Sequence, residues 1–261
     1  MHVVSLWRYP VKSLQGERLD EVVVGPEGLE GDRRFALFDT ETGFGLTARR
    51  VPELLFARAR WRPDASVEIT LPDGSTADDD AALSRWLGRP VSLRPASHEG
   101  TRAYENPNLV REDGADERWE PFHGARGAFH DSPRSRVSLV SEESLGGWDP
   151  RRFRANVVLD GAGEDALVGG TARLGEVRLD VRKQIARCVM TTRPQPGLER
   201  DLDVLRTVNR EHGGHLCVGA LVEATGVVRI GDELVAAAAD GGWTGRPTRP
   251  GERPCRPSAS T

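Results

Sequence analysis

Cysteine is scarce. Three residues, Cys188, Cys217 and Cys255, in a chain of 261 make a poor disulfide framework. They also cannot supply four thiolates to an iron–sulfur cluster, and no Cys-x4-Cys-x2-Cys spacing exists. Long apolar runs are missing too. No stretch approaches the roughly 18 residues that a membrane-spanning helix needs. The opening Met-His-Val-Val-Ser-Leu-Trp-Arg-Tyr-Pro carries too short an apolar run for a secretory signal. A basic excess is also lacking: 36 Lys and Arg face 40 Asp and Glu, a balance of −4, which disfavours a nucleic-acid partner. These absences predict a reducing, cytoplasmic compartment and no membrane association.

What the chain does have is one thiol among cations. The stretch Arg182-Lys183-Gln184-Ile185-Ala186-Arg187-Cys188-Val189-Met190-Thr191-Thr192 sets Cys188 close to three of them. Upstream, Val177, Leu179 and Val181 alternate with polar residues, so a half-buried strand delivers the segment. A thiol beside cations ionises more readily, and the thiolate is both nucleophile and metal ligand. A soft thiolate suits a soft or high-valent metal. The competing reading is a buried Cys packing as a small hydrophobe, which the flanking charges make awkward. Further cations cluster at Arg151, Arg152 and Arg154. Either they face an anionic small molecule, phosphate in particular, or they are solvated strand faces.

Short alternating runs separated by turn signals fill most of the chain. Strands are predicted at 3–9, 22–24, 32–38, 54–61, 67–71, 91–93, 137–140 and 152–160. The 32–38 strand puts Arg33 and Phe35 on one face, and the 152–160 strand does the same for Arg154 and Asn156. Lys12 and Ser13 lie side by side in the turn after Pro10, a point charge and a hydroxyl that suit an anion. Asp78-Asp79-Asp80 opens a short amphipathic helix that Gly88 closes. Ser141 is a good N-cap, and a helix start can also take an anion on its free N–H groups. Leu202, Leu205 and Val208 form the apolar stripe of a helix over 201–210. Residues 216–223, 227–230 and 233–235 read as a closing β-meander. Residues 95–128 read as a long irregular connection, partly docked by Trp119, Phe122 and Phe129. The Gly/Pro-rich end, Cys255 included, reads as disordered.

Five segments, in order, resemble the MOSC-domain family. Tyr9-Pro10-Val11-Lys12-Ser13-Leu14 with Gly31-Asp32-Arg33-Arg34-Phe35 is similar to the family's N-terminal β-barrel segment. Leu139-Val140-Ser141-Glu142-Glu143-Ser144-Leu145 resembles the start of the MOSC domain proper. Arg152-Phe153-Arg154-Ala155-Asn156 resembles its Arg-Phe-Arg-Pro-Asn, and Ala186-Arg187-Cys188-Val189-Met190-Thr191-Thr192 its Cys-x-Arg-Cys-x-x-Thr-Thr. Gly226-Val227-Val228-Arg229-Ile230-Gly231-Asp232 resembles its closing Gly-x-x-x-x-Gly-Asp. The resemblance implies an α+β, mainly β fold with a few peripheral helices. An N-terminal β-barrel-like domain covers 1–95, an irregular connection 96–130, a MOSC β-barrel domain 131–238 and a disordered tail 239–261.

The resemblance also implies a molybdenum cofactor. As in amidoxime-reducing members, Cys188 would be the catalytic residue and the metal's sulfur ligand. Lys12, Ser13, Arg33, Ser141, Arg154, Asn156 and Arg187 fall on positions that hold the pterin and its phosphate. Ile185 stands where many members have another Cys, and Ala155 replaces the usual Pro. The implied activity is a molybdenum-dependent oxidoreductase that reduces N-oxygenated small molecules, N-hydroxylated compounds or N-oxides. Electrons would come from a separate electron-transfer protein of ferredoxin, flavin-reductase or cytochrome type. The alternative is a sulfur-carrier or molybdopterin-handling protein with a persulfide on Cys188. Members fused to a pyridoxal-phosphate desulfurase point that way and add pyridoxal phosphate binding to the expectations. A third reading is a specialised enzyme that reuses the pocket.

Overall fold

Alternating valines and leucines build a mainly β fold. The computed structural model describes residues 1–97, 102–107 and 119–236. Its first half runs β1 (Val3–Arg8), β2 (Glu17–Leu19), β3 (Glu21–Gly25), β4 (Gly28–Leu29), β5 (Phe35–Asp39), β6 (Arg58–Trp61), β7 (Val67–Thr70), α1 (Asp80–Leu87), β8 (Val91–Pro95), β9 (Ala103–Pro107) and β10 (Trp119–His123). Its second half runs β11 (Val137–Ser141), α2 (Glu142–Leu145), β12 (Val157–Leu159), β13 (Thr171–Leu174), β14 (Val177–Ala186), α3 (Asp203–Glu211), β15 (His215–Ala224), β16 (Gly226–Arg229) and β17 (Leu234–Ala236).

Eight strands form one sheet in the order β17-β13-β14-β15-β11-β12-β1-β2. Within it β11 and β12 are parallel. Such a pair needs a crossover, here α2 and a 3-10 turn at Pro150–Arg152. A smaller sheet, β16-β3-β4, buries Val22, Val24, Leu29 and Val228 in one core with Leu139, Val157, Val177, Leu179 and Val181 of the large sheet. Burying each such side chain is worth about 1.5–3 kcal/mol.

The strands after α3 do not form a meander. β16 pairs with β3 and β17 with β13, because Val228 and Leu234 reach the shared core only at those edges. The expected boundary at residue 95 does not divide the sheets either: β1 joins β12 and β3 joins β16.

Local chemistry explains where other elements start. Asp79 caps α1 by accepting from Ala82 N at 2.7 Å, and Gly88 closes it at φ 63°. Residues 52–56 are a 3-10 turn led by Pro52 that buries Leu54 and Leu55, so the predicted 54–61 strand shrinks to β6. Helix α3 begins at Asp203, which turns Val204 and Val208 inward and leaves Leu202 39 % exposed. Val208 is buried as expected, but Val204 takes the place of Leu202 in the stripe and Leu205 is only half-buried. The connection is also more ordered than expected, since β9 and β10 pair with Tyr104 opposite Phe122. Tyr104 and Phe129 pack with Phe38, and Phe122 packs against them. The Trp119 side chain and the predicted tail lie outside the described residues. No described helix is long and apolar enough to cross a membrane.

Candidate functional site

A cavity of about 290 Å³ opens where the N-terminal turn, the 130–136 segment, the start of β12 and the end of β14 meet. Lys12, Ser13, Arg33, Arg154, Asn156, Arg187 and Cys188 all line it. Ser141 does not. It is fully buried, and its hydroxyl accepts from Ser144 N at 3.2 Å to cap α2.

Backbone geometry delivers the cations. Pro10 ends β1, and Ser13 turns with φ 70°, its hydroxyl accepting from Ala48 N at 3.0 Å. Arg33 and Arg154 have φ of 52° and 54°. They occupy tight turns, not the predicted strands, which begin only at Phe35 and Val157. A left-handed non-glycine residue costs about 1–2 kcal/mol. Three of the five in the described residues line this cavity, the usual place for stored backbone strain. Strand β14 buries Val177, Leu179 and Val181, then passes a bulge between Val181 and Lys183 and lines the cavity with Lys183 and Ile185.

The guanidinium groups are anchored but not saturated. Arg187 donates to Leu216 O at 2.6 Å and Phe153 O at 2.9 Å. Arg154 donates to Leu14 O. Arg33 pairs with Asp32 and donates to Arg154 O at 3.3 Å. Yet Arg154 Nη2, Arg187 Nη2 and Arg136 Nη1 are buried with no hydrogen-bond partner among the described residues. Buried donors are ordinarily paired, so this donor set fits an anion with several acceptor oxygens. Burial pushes the Arg154 pKa down to about 10, with nearby Arg33 adding to that effect. Asn156 is held differently: its Oδ1 accepts from Ser138, and its Nδ2 donates to Trp7 O at 3.2 Å.

Cys188 is a free, half-buried thiol at the start of a 3-10 turn over Val189–Thr192. Thr191 Oγ1 donates to its carbonyl at 3.0 Å. Cys217, by contrast, is buried in β15, and burial pushes its thiol up to about 11. Among the described residues no three His, Cys, Asp or Glu side chains converge as a metal cage. A metal here would take one protein sulfur and draw its other ligands from an organic group.

Several lining residues escaped the sequence reading. Lys12 Nζ donates to Phe129 O at 3.3 Å and pairs with Asp131, whose carboxylate is exposed at the cavity mouth. Crowding there works to raise the Asp131 pKa, but Lys12, then Arg33 and Arg49, hold it well below the usual carboxylate range. His130 is buried with Nε2 2.9 Å from Glu27 O, and burial lowers its pKa to about 4. Phe122, His130 and Asp131 lie in or beside a stretch whose composition gave no periodic signal.

Residues 1–109 match the MOSC N-terminal beta barrel domain, and residues 123–235 match the MOSC domain. The chain belongs to the MOSC-domain family. It is 25 % identical over 256 residues to a molybdenum cofactor sulfurase of Drosophila grimshawi. That alignment covers 84 % of this chain but only 32 % of the sulfurase, so the chain spans about a third of that relative. Among solved structures, the YUAD protein from Bacillus subtilis is 14 % identical with a TM-score of 0.45, covering 89 % of this chain and 93 % of that one. YiiM from Geobacillus stearothermophilus is 16 % identical with a TM-score of 0.34, covering 53 % and 73 %.

Proposed function

We propose that the cavity binds the pterin and phosphate of a molybdenum cofactor and that the chain is an oxidoreductase reducing N-oxygenated small molecules. The observation that carries this reading is the pair of buried, unpartnered guanidinium nitrogens on Arg154 and Arg187 in the same cavity as Cys188. Lys12, Arg33, Arg154 and Arg187 supply the positive charge for the cofactor's anionic end, and Ser13 braces the turn that presents Lys12. Cys188 is the metal's protein ligand. When bound, the cofactor would supply two-electron oxygen-atom transfer, and the protein supplies binding, orientation and charge. Ile185 and Met190 line the wall near Cys188 and give it an apolar flank. A separate cytoplasmic electron-transfer protein completes the cycle. Nothing among the described residues supports pyridoxal phosphate binding.

Elemental analysis of wild type and Cys188→Ser, alongside turnover of an N-hydroxylated substrate with an artificial reductant, tests the proposal. Molybdenum in wild type and its loss in the variant are expected. Equal metal in both would refute Cys188 as ligand.

A second reading has its own support. The similar sulfurase, with the free and half-buried Cys188, favours a sulfur carrier whose Cys188 thiolate takes the outer sulfur of a donor protein's persulfide, the donor leaving as its thiolate. Mass spectrometry of the purified protein for a sulfane adduct on Cys188, with turnover absent, would select it over the first.

A further inference from the structure

The chain has two tyrosines, and each lies beneath cations of the cavity. Tyr9 is 2 % exposed; the Arg154 guanidinium carbon sits 4.2 Å from its ring centroid and that of Arg33 5.5 Å away. Lys12 Nζ lies 5.1 Å from the centroid of Tyr104. Neither phenol oxygen has a hydrogen-bond partner among the described residues. Neither tyrosine lines the cavity, so what each offers the site is the ring face against its cations and not the hydroxyl.

Arg154 shows what the ring supplies. No carboxylate lies within ion-pair distance of it among the described residues, and its Nη2 is unpartnered. A carboxylate would occupy the N–H groups that an incoming anion must use. An aromatic face holds the guanidinium in place from above its plane and leaves those N–H groups, with their charge, open to an anion. We propose that Tyr9 is a positioning residue for an anionic ligand of the phosphate class, its ring holding the guanidinium of Arg154 and, from further away, that of Arg33. The cradle around it is tied together. Tyr9 N donates to Asp32 Oδ1 at 2.7 Å, Arg33 N to Tyr9 O at 2.8 Å, and Arg33 Nη2 to Arg154 O at 3.3 Å. The inference shares with the proposed function only the premise that an anion occupies the cavity.

The test replaces Tyr9 in the full chain by phenylalanine and by its mono-, di- and trifluorinated analogues. Each protein is titrated with inorganic phosphate by calorimetry. Fluorine withdraws π density at nearly constant shape, so folding is held fixed while the ring's attraction for a cation falls. Phenylalanine should bind phosphate within about twofold of wild type, and affinity should then fall stepwise by roughly tenfold across the series. A flat series overturns the proposal. Loss of binding already at phenylalanine overturns it too, because the hydroxyl would then hold the role, as does a wild type that binds no phosphate. Molybdenum content of the same samples reports separately on the proposed function.

Discussion

Ser138 and Asn156 hold each other by four hydrogen bonds across β11 and the start of β12, one of them from Asn156 N to Ser138 O at 3.0 Å. Ser138 N and Oγ donate to Asn156 Oδ1 at 3.2 and 2.9 Å, and Asn156 N donates to Ser138 Oγ at 3.0 Å. Both residues line the cavity. Asn156→Ala strands two buried donors and is expected to lower stability by about 2–3 kcal/mol. Asn156→Asp keeps the acceptor and most of the stability but adds a negative charge to the cavity, so phosphate binding weakens. Urea denaturation and phosphate titration of both variants check this. Equal stability losses would refute the acceptor role.

Asp131 competes with any anion for Lys12. Asp131→Asn is expected to raise phosphate affinity about three- to tenfold at low ionic strength, a gain that salt erodes. Weaker binding in the variant would show that the carboxylate holds Lys12 in place.

His130 makes stability depend on pH. Burial first, then Arg33, lowers its pKa from 6.5 to about 4 in the folded chain. Between those values the unfolded chain binds the proton and the folded chain does not. The neutral ring's contribution is complete above 6.5 and is lost as pH falls toward about 4. The loss totals about 3 kcal/mol at 1.36 kcal/mol per pKa unit. His130→Gln should flatten this slope, read from urea midpoints at neutral and mildly acidic pH.

Ala65 is left-handed at φ 62° in the exposed turn between β6 and β7. The residue touches no part of the cavity. Ala65→Gly relieves the Cβ strain and loses some of that gain to unfolded-chain entropy, for a net stabilisation of about 0.5–1 kcal/mol. Thermal denaturation measures it, and phosphate binding is expected to stay unchanged.

Local patterns were readable wherever one element decided its own shape. The valines of β3, the Asp79 and Gly88 caps of α1 and the Ser141 cap of α2 each follow from nearest-neighbour chemistry. Arg33 and Arg154 were misplaced because alternation counts residues as extended, whereas tertiary hydrogen bonds such as Arg33 N to Tyr9 O hold left-handed turns. The pairing of β16 with β3 carries no local signature at all. Seven of the eight expected site residues meet in one cavity, and the family resemblance pointed to them as a set. Residue types alone left Lys12 and Ser13 as an anion-suited pair and Ser141 as an ordinary cap. Tyr9 went unnoticed as a contributor because its effect runs through a ring face rather than a polar atom.

Val3 is paired with Leu159 and Val23 with Val227. A nascent polypeptide that has emerged only as far as β8 therefore displays naked strand edges with nothing to cover them. Its valines wait for partners still being translated, a long-range closure that is slow and exposed to aggregation. A product cut short before β16 would leave the β3 edge uncovered and become prey for proteases.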